Sequence, residues 1–256
     1  MTTSTFSLQG RTALITGASS GLGRHFARVL ADAGARVAVA ARRMDRLEAL
    51  VQELKATGAE AAAIPLDVTD PASVRAAFDQ TEAALGPVSL LINNAGVPSN
   101  TFFTKLTEDD WRSVMDVNLD GVFRVGQEAA KRMVAAGNGG SIVNVSSVLG
   151  LGVLKAVAPY AAAKAAVIQL TKAMALELAR DRIRVNALAP GYVVTELNEA
   201  FLTSDGGRKL LSRIPFGRAA DLSELDGPLL LLASDAGSFM TGTTLTVDGG
   251  ALLSMS

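Results

Sequence analysis

The chain has 256 residues, 49% of them hydrophobic, and its 24 basic and 25 acidic side chains leave a net charge of −1. That balance carries no electrostatic footprint for nucleic acid or an acidic membrane surface, and the length supports one large core or two small ones. Cysteine is absent, which excludes disulfides, thiolate catalysis and cysteine-ligated metal. Residues 1–10 are polar and put no basic residue ahead of an apolar run, so they do not read as a secretion signal. Apolar runs such as 229–233 are far too short to span a bilayer. The expectation is a soluble cytoplasmic protein with no membrane or nucleic-acid partner.

Short β-rich runs alternate with amphipathic stretches from end to end. Strands are predicted at 12–16, 36–41, 62–66, 89–93, 141–146, 184–189 and 243–247, and helices at 22–33, 44–57, 71–85, 108–136, 160–179 and 221–234. The strands are apolar with little alternation, as strands covered on both faces are. Turn signals at Gly34, Gly58, Gly86-Pro87 and 137–140 punctuate the joins. A βαβα order of this kind predicts an α/β fold, a single-domain doubly wound (Rossmann-type) seven-stranded parallel sheet with helices on both faces, spanning 1–256. Between 190 and 218 the regular pattern lapses into Gly, Thr and Ser with short apolar patches, which predicts a substrate lid.

The first strand runs into Thr16-Gly17-Ala18-Ser19-Ser20-Gly21-Leu22-Gly23, which opens a helix. Glycines there let the backbone turn tightly and approach a pyrophosphate, whose charge meets the helix N-terminus. The spacing is Gly-x-x-x-Gly-x-Gly rather than the standard dinucleotide fingerprint, so its weight comes from its place between strand and helix. Where such a scheme places an acidic residue for the ribose 2′-hydroxyl, the second strand ends in Ala41-Arg42-Arg43. A guanidinium suits a 2′-phosphate, so NADP(H) is favoured and NAD(H) is the alternative; Arg24 and Arg46 could enlarge the basic patch. Both arginines also fit the solvated start of the next helix.

Tyr160 and Lys164 lie four residues apart with Ser147 thirteen positions upstream of the tyrosine. Residues at i and i+4 share a helix face, so phenol and ammonium can converge. A phenol ordinarily titrates near 10, and a nearby cation favours phenolate, which predicts a pKa drawn down toward neutrality. A plain solvated helix face accommodates the same pair without any chemistry.

With these motifs in order, the chain resembles the classical short-chain dehydrogenase/reductase family over nearly its whole length. The resemblance rests on the glycine motif, Asn93-Asn94-Ala95-Gly96, Asn118 in Asp116-Val117-Asn118-Leu119, Ser147, the Tyr160–Lys164 pair, Pro190-Gly191 with Thr195, and Val247-Asp248-Gly249-Gly250. It implies that Tyr160 is the general acid or base and that Lys164 tunes it and binds the nicotinamide ribose. Ser147 would hydrogen-bond the substrate oxygen, and Asn118 would hold a water in a proton relay. The cofactor would be bound by Gly17, Ser19, Ser20, Gly21, Leu22 and Gly23, with Arg42, Arg43, Asp67, Val68, Asn94, Ala95 and Gly96 on the adenosine side. Pro190, Gly191, Val193 and Thr195 would set the nicotinamide. A homotetramer, or a homodimer, is implied as well.

The reading that follows is an NAD(P)H-dependent carbonyl reductase or secondary-alcohol dehydrogenase. A 3-oxoacyl-thioester reductase is a narrower alternative, and a non-catalytic dinucleotide sensor or scaffold is an alternative of another class. Expected substrate walls are 97–104, 148–157 and 192–216, with Leu149, Leu151, Val153, Leu154, Val157, Tyr192 and Phe201 as apolar candidates beside Ser147 and Tyr160. They predict an uncharged, fairly hydrophobic ketone, unless Lys155 points inward. His25, the one histidine, is expected to be structural, Trp111, Phe102 and Phe103 to be packing residues, and no metal site is expected.

Overall fold

Strands that are apolar on both faces need cover on both sides, and the computed structural model supplies it. It describes residues 5–196 and 198–254; position 197, within the expected lid, and both ends of the chain lie outside the described residues. Seven strands form one parallel sheet: β1 (Thr12–Thr16), β2 (Arg36–Ala41), β3 (Ala61–Pro65), β4 (Leu90–Asn93), β5 (Gly140–Val145), β6 (Ile183–Pro190) and β7 (Thr244–Val247). Their order is β3-β2-β1-β4-β5-β6-β7, so the chain reverses direction across the sheet between β1 and β4. In open α/β sheets that switch point opens a crevice at the carboxyl ends of the strands.

Alternate residues of β1 enter opposite cores, as a side-chain period of two requires. Ala13 and Ile15 join Phe26 and Leu30 of α1 (Gly21–Asp32), Leu47 and Leu50 of α2 (Met44–Ala56), and Leu229 and Leu232 of α9 (Asp226–Ala233). Leu14 joins Val74 and Phe78 of α3 (Pro71–Leu85), Val125 and Met133 of α5 (Gly121–Ala136), and Ala175 of α6 (Ala158–Leu178). His25 spans α1 and α9, its Nε2 lying 2.6 Å from Asp226 Oδ1.

The helix expected over 108–136 is three pieces. Thr107 and Asp110 form a reciprocal cap on α4 (Glu108–Met115), a π turn occupies Asp116–Asp120, and α5 follows. A π turn inserts an extra residue into helical spacing, and such turns recur at functional sites. Here it buries the Asn118 side chain completely. The segment expected to be irregular holds two short helices, α7 (Glu199–Leu202) and α8 (Asp205–Leu211). Ser204 caps the second by accepting from Gly207 N, and glycines at 206 and 207 hid it from a propensity reading. Phe102 and Phe103 are not packing residues: at 59% and 75% exposure they stand outside both cores, on a loop and a single 3₁₀ turn.

Candidate active site

β1 ends at Thr16, whose Oγ1 accepts from the backbone N–H groups of Asn94 (3.0 Å) and Ala95 (2.9 Å), tying the glycine turn to the end of β4. Gly17 has φ +68°, and a Cβ there would stand 2.8 Å from Ala95 Cα, closer than real side chains approach. Only glycine therefore allows this turn. The Asn94 carboxamide donates to Thr16 O at 3.0 Å, so it braces the loop.

Arg43 reaches back over the same turn. Its Nη2 donates to Ser19 Oγ at 2.9 Å and Ser20 Oγ at 3.1 Å, while the exposed Arg42 side chain lines the same cleft. Asp67, at the next strand end, accepts from the Thr69 hydroxyl and backbone N–H, and these bonds, with Arg42 nearby, hold its carboxyl below the usual range. Arg24 is committed elsewhere, to Glu53 at 2.5 Å and Glu196 at 3.7 Å, and neither it nor Arg46 lines the cleft.

At the other end, β5 runs into Ser147 and α6 presents Tyr160 and Lys164. Ser147 Oγ accepts from Leu149 N at 3.1 Å and is hydrogen-bonded to the Tyr160 phenol. Lys164 is buried; its Nζ donates to Val145 O at 2.8 Å and lies 5.6 Å from the Tyr160 ring centre. Both serines line the cleft, but the Ser146 hydroxyl is committed to Lys164 O at 2.9 Å, which leaves Ser147 as the serine paired with Tyr160. Burial lowers the Lys164 ammonium to about 8. Burial also raises the Tyr160 phenol, against the downward shift expected from the pair, and the Ser147 bond offsets only part of that rise. Desolvation disfavours both charged forms, and the ammonium is spent on a backbone carbonyl.

These residues share one cleft of about 860 Å³ that runs from the glycine turn past Tyr160 to Phe201. Of the cofactor and catalytic residues that the resemblance implies, Gly23 and Asn118 do not line it. Gly23 packs behind the turn, where a Cβ would meet Gly17 O at 2.5 Å. Asn118 sits behind the wall: its Oδ1 accepts from Val97 N at 2.7 Å and its Nδ2 donates to Val97 O at 2.8 Å. The cleft walls add Val117, the neighbour of Asn118 in its motif, and Asn198, within the expected wall 192–216, neither of which the sequence singles out as a site residue. Asn198 closes its own turn, accepting from Thr195 N at 2.8 Å and donating to Val193 O at 2.9 Å. At the Tyr160 end the walls are Val97, Pro98, Ser99, Asn100, Leu149, Leu154, Val157, Tyr192 and Phe201. Leu151 and Val153 are 50% and 74% exposed and face away, and Lys155 is exposed and outside the cleft.

The model of the short chain dehydrogenase family matches residues 11–205, most of the chain. The chain belongs to the short-chain dehydrogenases. As a member it is an NAD(P)-dependent oxidoreductase that interconverts carbonyl and alcohol groups. It is 39% identical to the gluconate 5-dehydrogenase of Gluconobacter oxydans over 251 residues, 98% of each chain. It is likewise 39% identical to the 3-oxoacyl-acyl-carrier-protein reductase of Thermotoga maritima, over 96% of this chain and 99% of that one. Among solved structures, a gluconate 5-dehydrogenase from Burkholderia cenocepacia in complex with NADP and tartrate superposes with a TM-score of 0.92 at 43% identity, covering 96% and 97% of the two chains. No helix among the described residues is long and apolar enough to cross a membrane, and they hold no cluster of potential metal ligands.

Proposed function

We propose that this enzyme is an NADPH-preferring carbonyl reductase acting on an uncharged, fairly hydrophobic ketone, with Tyr160 as general acid in reduction and general base in reverse. The observation that carries the reading is the meeting of Ser147, Tyr160 and Lys164 in the same cleft as the glycine turn and two cleft-lining arginines. The wall beside Lys164 fits a bound dinucleotide. A Cβ on Gly96 would come within 3.3 Å of Asn118 Oδ1 and 3.7 Å of Lys164 Nζ, and its absence leaves that wall open. Gly17, Ser19, Ser20, Gly21 and Leu22 would hold the pyrophosphate, Arg42 and Arg43 a 2′-phosphate, and Asp67, Val68 and residues 94–96 the adenosine end. Pro190, Gly191, Val193 and Thr195 would set the nicotinamide face. When bound, the dinucleotide supplies the hydride.

This chain's own residues then manage the oxygen and its proton. Ser147 and Tyr160, bonded to each other, present two hydroxyls to a single carbonyl oxygen. A phenol raised by burial stays protonated at neutral pH, so it enters reduction as the acid form. Lys164, protonated below about 8, lies close enough to the ring to stabilise the phenolate that is left. Asn118 acts from behind, fixing Val97 and with it the wall that faces the substrate.

Among the described residues the substrate end has no cation other than Lys164, and burial pushes the Tyr192 phenol up, as an apolar environment does. That composition supports a neutral carbonyl. Ser99, Asn100 and the Tyr192 phenol could donate to a carboxylate, but no guanidinium or second ammonium among the described residues lines this end to offset its charge. We read 190–218 as the segment covering it, through Tyr192, Asn198 and Phe201. We also propose assembly as a homotetramer or homodimer, supported by exposed apolar side chains at Phe123 on α5 and Leu176 on α6. The test is NADPH oxidation with a neutral ketone by wild type and Tyr160→Phe. The variant should bind NADPH normally and lose about 10³-fold or more in kcat; undiminished turnover would sink the assignment.

A further inference from the structure

Among the described residues, two that are not glycine have positive φ, Arg182 and Ala156. Arg182 follows the short 3₁₀ turn after α6, where a left-handed residue is an ordinary helix ending. Ala156, at φ +67°, stands between Leu154 and Val157, both of which line the substrate end of the cleft. An L-residue with a Cβ rarely adopts that conformation, and one held there at a site marks a place the surroundings enforce. The Ala156 carbonyl accepts from Thr101 N–H at 2.9 Å. That bond joins the loop after β4 to the loop that leads into α6.

Its position gives it a consequence. The wall 97–101 is pinned at one end by Asn118, which holds Val97 through both backbone atoms, and at the other by Ala156, which holds Thr101. Pro98, Ser99 and Asn100, stretched between the pins, line the cleft. On the opposite side, the chain turns at Ala156 into Val157, whose carbonyl accepts from Ala161 N at 2.9 Å and so starts α6 just ahead of Tyr160. We propose that Ala156 is a positioning and specificity-determining residue: its left-handed backbone closes a clasp to Thr101 that fixes the width of the substrate end. Neither residue touches the substrate; both act through the side chains they hold.

The selectivity part of this inference rests on the ketone reading, whereas the clasp does not. In wild type, the Thr101 amide should exchange with deuterium about tenfold or more slowly than the amides of Asn100 and Phe102. Ala156→Gly, which accepts positive φ freely, should keep that protection, and Ala156→Val, β-branched and strained there, should lose it. With NADPH affinity unchanged, Ala156→Val should shift kcat/KM from a slim methyl ketone toward a bulky aryl ketone by about fivefold, and Ala156→Gly by less than about twofold. An unprotected Thr101 amide in wild type overturns the clasp. Equal losses on both ketones overturn the selectivity role. A wild type that reduces no ketone defeats the ketone reading and leaves the clasp to be decided by the exchange of Thr101.

Discussion

At the glycine-turn end of the cleft, most lining residues stand within a few positions of a strand terminus: 17–22 after β1, 42 and 43 after β2, 67 and 68 after β3, and 94–96 after β4. At the Tyr160 end they come from longer excursions: 97–100 after β4, 149, 154 and 157 after β5, and 192, 198 and 201 after β6. One end is polar and charged, carrying Arg42, Arg43 and Asp67, whereas the other is mostly apolar. Short connections inherit their geometry from the sheet, and long ones must be held by particular bonds such as those of Asn118, Asn198 and Ala156. A sheet of this kind therefore supports one cofactor and many substrates.

Substitutions can break or sharpen that contrast. Lys164 faces both ends, and Lys164→Met should lower kcat by about 10²–10³-fold on every ketone while weakening the dinucleotide. Its stability effect runs the other way. Because Lys164 titrates near 8 when folded against 10.5 ordinarily, the unfolded chain binds more protons between those values, and wild-type stability gains with rising pH across that window. Calorimetry from pH 7 to 11 should show this gain in wild type and not in Lys164→Met. Arg42→Ala and Arg43→Ala touch only the charged end: NADPH affinity should fall about 10–100-fold and NADH affinity by less than about threefold, read by titration. Arg43→Ala also frees the Ser19 and Ser20 hydroxyls it now holds. The smallest effect belongs to Phe201→Ala, which should raise ketone KM by about three- to tenfold and leave NADPH binding alone. An equal change in cofactor affinity would show that the two ends are not separable.

The same contrast explains what could be read from the chain before folding. The glycine turn was legible because positive φ at Gly17 and its approach to Ala95 leave no other residue type. Tyr160 and Lys164 were legible through their helical spacing. Asn118 was placed by motif, but nothing in the continuous helical pattern of 108–136 announced the π turn that buries it against Val97. Leu151 and Val153 looked like pocket residues because they are apolar, yet tertiary placement turns them outward. Phe102 and Phe103 looked like core for the same reason. The direction of the Tyr160 shift depends on burial and on where the Lys164 ammonium bonds, neither of which is written in spacing.

The relatives' names make one comparison especially sharp, because a gluconate-type substrate carries a carboxylate and a thioester carries a long neutral arm. Wild-type kcat/KM should be measured with NADPH on a neutral aryl or cyclic ketone, on 5-keto-gluconate and on an acetoacetyl thioester. With no cation among the described residues at the substrate end but Lys164, the neutral ketone should lead the keto acid by about 10²-fold or more. A clear preference for the keto acid would contradict the account.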